Sequence, residues 1–299
     1  MFDVFANIVG KENVLINEPM SNHTTFRIGG PADYFVTPET PEQVRGVYFA
    51  AKDNGIPVFI MGNGSNLVVG DKGIRGVVIC LYKRMDSIVI DGEKVIADCG
   101  VLLSKVAATV CREGLAGFEF ASGIPGTVGG GVYMNAGAYG PELKDIILSV
   151  RYMDDKGNFG ELSTDECEFG YRTSIFGKKG YIILGCTFGL TRGNSEEIRE
   201  QINEYTKRRT SKQPIEKPSA GSVFKRPEGY FAGTLIEGAG LKGFTIGGAQ
   251  VSEKHAGFIV NIGSATAKDV MDLIAHIQKT VFEKDGVMLE TEVKLVGEF

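Results

Sequence analysis

The chain has 299 residues, 43% hydrophobic and 23% charged, an ordinary balance for a globular protein with a sizeable core and room for about two or three domains. A formal charge of −5 argues against a dedicated nucleic-acid binder, which normally presents a strongly basic face. No apolar run approaches the roughly 20 residues that span a bilayer, and residues 1–19 lack the charged start and apolar stretch of a secretory signal, so the expectation is a cytoplasmic protein without membrane insertion. In chain order, Thr40-Pro41 opens a helix whose Val44, Val47, Tyr48 and Ala51 share one face, with Asn54-Gly55 as its stop. A strand follows at Val58–Met61. Residues 87–97 read as a hairpin turning on Asp91-Gly92, and residues 151–162 read as another. Ser104–Arg112 is helical, with Val106 and Val110 one turn apart. Asn194 and Glu197 suggest a capping box for a helix carrying Ile198, Ile202 and Tyr205 into Lys207-Arg208-Arg209. Pro214 and Pro218 end that pattern and mark a boundary near residue 212. Thr266–Lys284 is the last long helix, and the final strand reads EVKLV. No repeat of 20–50 residues occurs.

Five cysteines, Cys80, Cys99, Cys111, Cys167 and Cys186, form no CxxC pair, and with His23, His255 and His276 they give no metal-ligand spacing. The expectation is no metal site and five reduced, structural thiols. The most informative stretch is GIPGTVGGGVYMNAGAYG, which holds seven glycines between Gly123 and Gly140. Each glycine ordered in a helix or strand costs about 0.5–1 kcal/mol relative to alanine, so close backbone approach to a ligand is the expected reason for them. Positive φ angles would turn successive amides into a nest for phosphate. Neither the dinucleotide fingerprint nor a Walker loop fits, and the residues after Gly129 carry no amphipathic helical stripe. A second glycine turn, Gly62-Asn-Gly-Ser-Asn66, lies between two apolar runs, which suggests a long ligand held by two amide-rich turns.

HTTFRIGGPADYF at 23–35, GNGSNLVV at 62–69, the glycine stretch at 123–140, YRTSIF at 171–176, SAGSVFKRP at 219–227, LKGFTIGGAQVSEKHAGFIVN at 241–261 and LETEVKLVG at 289–297 together resemble the MurB family of UDP-N-acetylenolpyruvoylglucosamine reductases. The motifs run nearly end to end. The resemblance implies an α+β fold: a two-lobed FAD-binding domain of the vanillyl-alcohol-oxidase type, with lobes at 1–75 and 76–211, and a C-terminal α+β substrate domain at 212–299. It is to the shorter subclass, which lacks a substrate-capping tyrosine loop. Gly131 stands where the family more often has Ala, and Asn63 where Gly is common. The implied partners are non-covalent FAD, NADPH as co-substrate and a UDP-sugar, with no obligate protein partner evident.

The resemblance assigns FAD contacts to Gly62, Asn63, Gly64, Ser65 and Asn66 of the first turn. In the second stretch it assigns Gly123, Ile124, Pro125, Gly126, Thr127, Gly129 and Gly130, then Asn135, Ala136 and Gly137. Three residues are implied for catalysis. Arg172 would grip the carboxylate of an enolate-like intermediate with its planar fork. Ser222 would donate the proton, and Glu292 would orient or protonate the intermediate, with Glu290 as its rival. Tyr171, Lys225, Arg226 and His255 are the implied substrate contacts. Between 207 and 226 seven basic residues stand against the single acid Glu216, a local excess suited to a diphosphate. An oxidase of the same cofactor fold, or a non-catalytic nucleotide-sugar binder, would also explain the glycine turns, but not the set of Arg172, Ser222 and Glu292.

Overall fold

The helices are anchored by the caps and apolar spacings visible in the chain. Thr40 accepts the Gln43 amide at 3.2 Å to start a helix over Pro41–Asp53, which buries Val44, Val47 and Ala51. A computed structural model describes residues 1–82 and 84–299, which form two units. Unit 1 comprises Met1–Leu15, Tyr34–Asn63 and Val77–Arg209; unit 2 comprises Ile16–Asp33, Gly64–Gly76 and Thr210–Phe299. Two N-terminal segments therefore share a unit with the C-terminal region.

Unit 1 is built on an antiparallel sheet with spatial order Phe159–Ser163, Ile147–Met153, Ile182–Gly189, Lys94–Asp98, Ile88–Asp91. Asp91 pairs with Lys94, so the first hairpin turns on Gly92-Glu93, one residue later than the Asp-Gly dipeptide suggests; Gly92 supplies the φ of +61°. Asp154 closes the second hairpin by accepting the amides of Lys156 and Asn158. Val58–Met61 runs parallel to Ile74–Cys80 in a four-stranded sheet. Leu103–Arg112 packs Val106, Ala107 and Val110 into the same core as Phe118, Phe176 and Phe188. The helix Ser195–Lys212 starts where Asn194 Oδ1 accepts the Glu196 amide at 2.8 Å, one residue short of a capping-box contact, and buries Ile198.

Unit 2 carries its own core, from Phe26 and Val68 to Val281 and Val293. Its sheet runs Ser219–Ser222, Phe258–Asn261, Ala249–Val251, Thr245–Ile246, all antiparallel. The helix Ala267–Asp285 covers this core with Val270, Leu273, Ile274, Ile277 and Val281. Thr266 and Asp269 form a full capping box at its start. Asp71 accepts the first two helical amides, from Ala267 and Lys268, at 2.7 and 3.0 Å, which ties the 64–76 segment to this helix. The final strand, Lys294–Val296, lies parallel to Leu67–Val69.

All five cysteines are buried and none is in a disulfide. Burial pushes the thiols of Cys99 and Cys167 up to about 12, and that of Cys186 well above its ordinary value. A thiol reagent should therefore titrate the native protein slowly and far below five equivalents, and reach five only after denaturation. Rapid labelling of several thiols in the folded protein would contradict this packing.

Candidate functional site

The glycine stretch folds differently from the expected nest. Among its glycines only Gly140 has a positive φ, joined by the non-glycine residues Asn135 and Tyr139. Val128–Tyr133 is a short helix capped by Thr127, whose Oγ1 accepts the Gly130 amide at 3.3 Å. The amides of Val128 and Gly129 donate to Val101 and Cys99 at 2.7 and 2.8 Å. Packing explains two of the glycines: a Cβ at Gly129 would lie 3.0 Å from Cys99 Cβ, and one at Gly131 would lie 2.9 Å from Leu143 Cδ1. Gly130 is exposed and has room for a side chain. The amides of Gly126 and Thr127 meet no hydrogen-bond acceptor among the described residues.

The first glycine turn closes directly onto this one. Asn63 Nδ2 donates to Pro125 O at 2.7 Å, and any Cβ on Gly62 would collide with Thr127 Oγ1. The two turns thus form one surface of unit 1, with Gly62 and Asn63 beside Pro125 and Thr127. Past Asn63 the turn belongs to unit 2. Gly64 has φ +67°, and a Cβ there would collide with His23 O. Asn66 Nδ2 donates to Glu292 O at 3.2 Å, and Asn66 O accepts the Lys294 amide. Ile124 donates its amide to Ala121 O, and Ser65 is partly exposed. Ala136 and Gly137 fold back on Pro141–Leu143: Ala136 O accepts the Leu143 amide at 2.9 Å, and Gly137 bridges Glu142.

Arg172 sits in a tight turn in which Gly170 and Thr173 exchange backbone hydrogen bonds. Its φ is +54°, unusual for a residue with a long side chain. The guanidinium lies 5.0 Å from the Tyr171 ring centroid and donates to Gly137 O at 3.4 Å. Tyr171 is half exposed. In unit 2, Ser222 ends its strand on the exposed side, opposite Phe258, after Gly221 with φ +77°. The next residues pair with the chain's end: Glu292 donates its amide to Val223 O at 2.7 Å, Phe224 bridges Thr291, and Lys225 donates its amide to Glu290 O. Ser222 and Glu292 thereby lie on backbone segments that are hydrogen-bonded to each other through Val223. The rival Glu290 is engaged elsewhere, in an exposed ion pair with Lys225 at 3.0 Å. The Arg226 guanidinium stacks 4.0 Å over Phe231.

His255 connects to this pairing through the backbone. Its Nδ1 accepts the Gly257 amide at 3.1 Å, Gly257 O accepts from Val223, and Val223 O accepts from Glu292. Accepting at Nδ1 requires the tautomer protonated at Nε2, and burial lowers the imidazole's pKa.

A family model for the UDP-N-acetylenolpyruvoylglucosamine reductase C-terminal domain matches residues 213–296, and an FAD binding domain model matches residues 32–163. Over 99% of this chain and 98% of the relative, the sequence is 52% identical to the UDP-N-acetylenolpyruvoylglucosamine reductase of Alkaliphilus oremlandii. The reductase of Clostridioides difficile is 53% identical over 98% of this chain and 96% of its own length. The chain belongs to the UDP-N-acetylenolpyruvoylglucosamine reductase family. The crystal structure of the Thermus caldophilus reductase superposes with a TM-score of 0.81 at 35% identity, covering 95% of this chain and 98% of that one.

Within this reductase family architecture, the surface at Gly62, Asn63, Pro125 and Thr127 fits a dinucleotide cofactor. Uncommitted amides at Gly126 and Thr127 can hydrogen-bond pyrophosphate oxygens without basic side chains, and glycine at 62 keeps the two turns close enough to share them. Sequence reasoning missed Ser174, whose Oγ donates to Tyr133 O at 2.7 Å, and Arg209, whose partly buried side chain lies against Gly123 with its pKa lowered by burial. Ser174 lies inside a quoted motif but has no spacing signal of its own; Arg209 is one among seven basic residues of that segment. Among the described residues no cluster could hold a metal ion, and no helix is long and apolar enough to cross a membrane.

Two measurements check this geometry. Gly62→Ala should push the turns apart and weaken FAD retention at least tenfold in a folded protein, and adding Thr127→Ala should restore part of it by removing the clashing oxygen. Equal flavin content in Gly62→Ala and wild type would show that the contact does not shape the cofactor surface. For His255, the lowered folded pKa means the unfolded chain protonates first on acidification. The stabilisation is full above the ordinary histidine value of about 6.5 and is lost as pH falls toward the lower folded value. The melting temperature should therefore drop more between about pH 7.5 and 5.5 in wild type than in His255→Gln, a window that brackets that ordinary value; parallel slopes would refute the assignment.

Proposed function

We propose that this protein is an FAD-containing oxidoreductase, a UDP-N-acetylmuramate dehydrogenase, which reduces the enolpyruvyl ether of UDP-N-acetylenolpyruvoylglucosamine to UDP-N-acetylmuramate in peptidoglycan precursor synthesis. The observation that carries this reading is 52% identity, along 99% of the chain, to a relative named for that reductase, joined by the match of residues 213–296 to its C-terminal domain. The proposed reductant is NADPH and the proposed compartment the cytoplasm. Residues 1–75 and 76–211 are proposed as the two cofactor lobes, and 212–299 as the substrate domain.

When bound at these turns and reduced by NADPH, the flavin would supply the hydride that the terminal vinyl carbon accepts. Electron density then collects on the carbon bearing the carboxylate, and the protein must stabilise that charge and deliver a proton. Arg172 is the group proposed to hold the carboxylate, because its charge is permanent and its fork matches two oxygens. Ser222 is the proposed proton donor. Its weak acidity suits a strongly basic carbanion within hydrogen-bond reach, and its exposed place at a strand end leaves the hydroxyl open to a ligand. Glu292, on the segment hydrogen-bonded to Val223, is proposed to orient the donor or the intermediate. Arg226 and Lys225 are proposed diphosphate contacts. The Lys225–Glu290 pair is exposed, so exchanging it for phosphate costs little. His255 and Tyr171 complete the proposed substrate contacts. The proposed cofactor contacts are Gly62, Asn63, Gly64, Ser65 and Asn66 with Gly123, Ile124, Pro125, Gly126, Thr127, Gly129, Gly130, Ala136 and Gly137, the turns at Gly62–Asn63 and Gly126–Thr127 being best supported. Asn135, whose polar side-chain atoms are all engaged inside the protein, is withdrawn from that set. No cysteine or histidine lies in either turn, so the flavin is proposed to be non-covalent and released by acid precipitation.

The test separates the half-reactions. Ser222→Ala should be reduced by NADPH at a near-normal rate, while reoxidation by the enolpyruvyl substrate slows by about 10²- to 10⁴-fold, with partial recovery in Ser222→Cys. Arg172→Lys should slow reoxidation more than about tenfold, or about 1.4 kcal/mol of barrier. Reoxidation of Ser222→Ala within about threefold of wild type, far short of a general acid's contribution, would remove Ser222 as donor. A flavin-loaded wild type that is not reoxidised by this substrate would remove the substrate assignment.

A further inference from the structure

Asn135 is fully buried, and both of its amide N–H donors are used inside the protein. Nδ2 donates to Glu142 Oε2 at 2.9 Å and to Gly170 O at 3.1 Å, and Oδ1 accepts the Lys144 amide at 3.0 Å. Its backbone is held at φ +42°, the left-handed region that asparagine tolerates better than most residues. A side chain so committed is poorly placed to contact a ligand. What it holds is informative, because Gly170 is the first residue of the turn that carries Arg172.

Three further contacts join the same two segments. Ser174, with 1% of its surface exposed, donates from Oγ to Tyr133 O at 2.7 Å. A Cβ on Gly177 would lie 3.0 Å from the Tyr133 hydroxyl oxygen, so the helix Ile175–Lys179 is pressed onto that ring. Arg172 itself donates to Gly137 O. The turn is thus tied to 133–142 on both sides of Arg172, by Asn135 before it and Ser174 after it. Arg172 sits between the two anchors with φ +54°, a conformation that persists only where the surroundings over-determine it.

We propose that Asn135 and Ser174 are positioning residues that hold the Arg172 turn in its left-handed conformation and so aim the guanidinium at the substrate carboxylate. This rests on the proposed role of Arg172. A bidentate grip demands alignment of both N–H groups with both oxygens, so a turn released at one anchor keeps its charge and loses its aim. The ligand chemistry concerned is the three-carbon carboxylate of the sugar's ether substituent, and not the nucleotide.

The test uses equilibrium binding to the oxidised holoenzyme, measured calorimetrically with two ligands: UDP-N-acetylmuramate, which carries the carboxylate, and UDP-N-acetylglucosamine, which lacks it. The ratio of the two affinities isolates the grip on the carboxylate, and a general loss of stability does not change it. Asn135→Gly removes the side chain where glycine accepts the backbone conformation, and Ser174→Ala tests the second anchor in case the first variant folds poorly. Arg172→Lys serves as the reference. The expected result is a fall of at least tenfold in the ratio for Arg172→Lys and for Asn135→Gly, and of at least threefold for Ser174→Ala, with affinity for UDP-N-acetylglucosamine within about threefold of wild type throughout. A collapsed ratio in Arg172→Lys with wild-type ratios in both anchor variants would overturn the positioning role alone. An unchanged ratio in Arg172→Lys would overturn the role of Arg172, and this inference with it.

Discussion

The proposed cofactor surface depends on the absence of a side chain at Gly62. Thr127 Oγ1 occupies the place where a Cβ would stand, and the Asn63 amide reaches Pro125 O only because the two turns come this close. Thr127 also caps the short helix behind it, through Gly130. One hydroxyl therefore sets the start of the helix and the distance to the neighbouring turn. The amides left over, at Gly126 and Thr127, lie at that junction because the next two are spent on Val101 and Cys99. The proposed cradle and the scaffold share one stretch of backbone, divided amide by amide.

A similar economy governs the proposed proton-transfer residues. Val223 O accepts from Glu292, and Val223 donates its amide to Gly257 O, so one residue fixes the end of the Ser222 strand to the segment that holds Glu292. Asn66 grips Glu292 O from the other direction. The backbone of Glu292 is held at both its amide and its carbonyl, which leaves the proposed role to its side chain. The His255 ring, closed in by Gly233 and Gly257, braces the same network through Nδ1. A residue read from sequence as a substrate contact thus has a structural task as well, and burial keeps it neutral for that task.

The long periodic elements were legible in the chain. The helices at 41–53 and 267–285 follow their caps and apolar faces, that at 103–112 follows its apolar spacing without a side-chain cap, that at 195–212 starts at Asn194, and the two hairpins follow their turn residues. The helix at 128–133 was not legible, because six residues, three of them glycine, cannot display a stripe, and its stability comes from contact with Cys99, Leu103 and Leu143. The seven glycines of 123–140 looked like a positive-φ nest. Two of them answer instead to side chains of the core. Sequence also could not reveal that segments 16–33 and 64–76 join the C-terminal unit, since such joining depends on partners such as Asp71 with the helix at 267 and Asn261 with Phe26 O, nearly 200 residues or more apart.

The left-handed residues order the rest of the argument. Asn135, Tyr139 and Arg172 all have positive φ, and all belong to the same patch of unit 1 that includes the glycine stretch. Glycine would relieve each of them, and the chain is rich in glycine elsewhere. Each side chain here has a task glycine cannot perform: Asn135 anchors Gly170, Tyr139 stacks on Tyr205 with centroids 4.4 Å apart, and Arg172 carries a charge. Strain of about 1–3 kcal/mol per such residue is sustained by the hydrogen bonds around it. A site that needs a cation at a fixed angle is better served by a stiff, strained turn than by a relaxed one, because a relaxed turn would have to be ordered anew each time a carboxylate arrived.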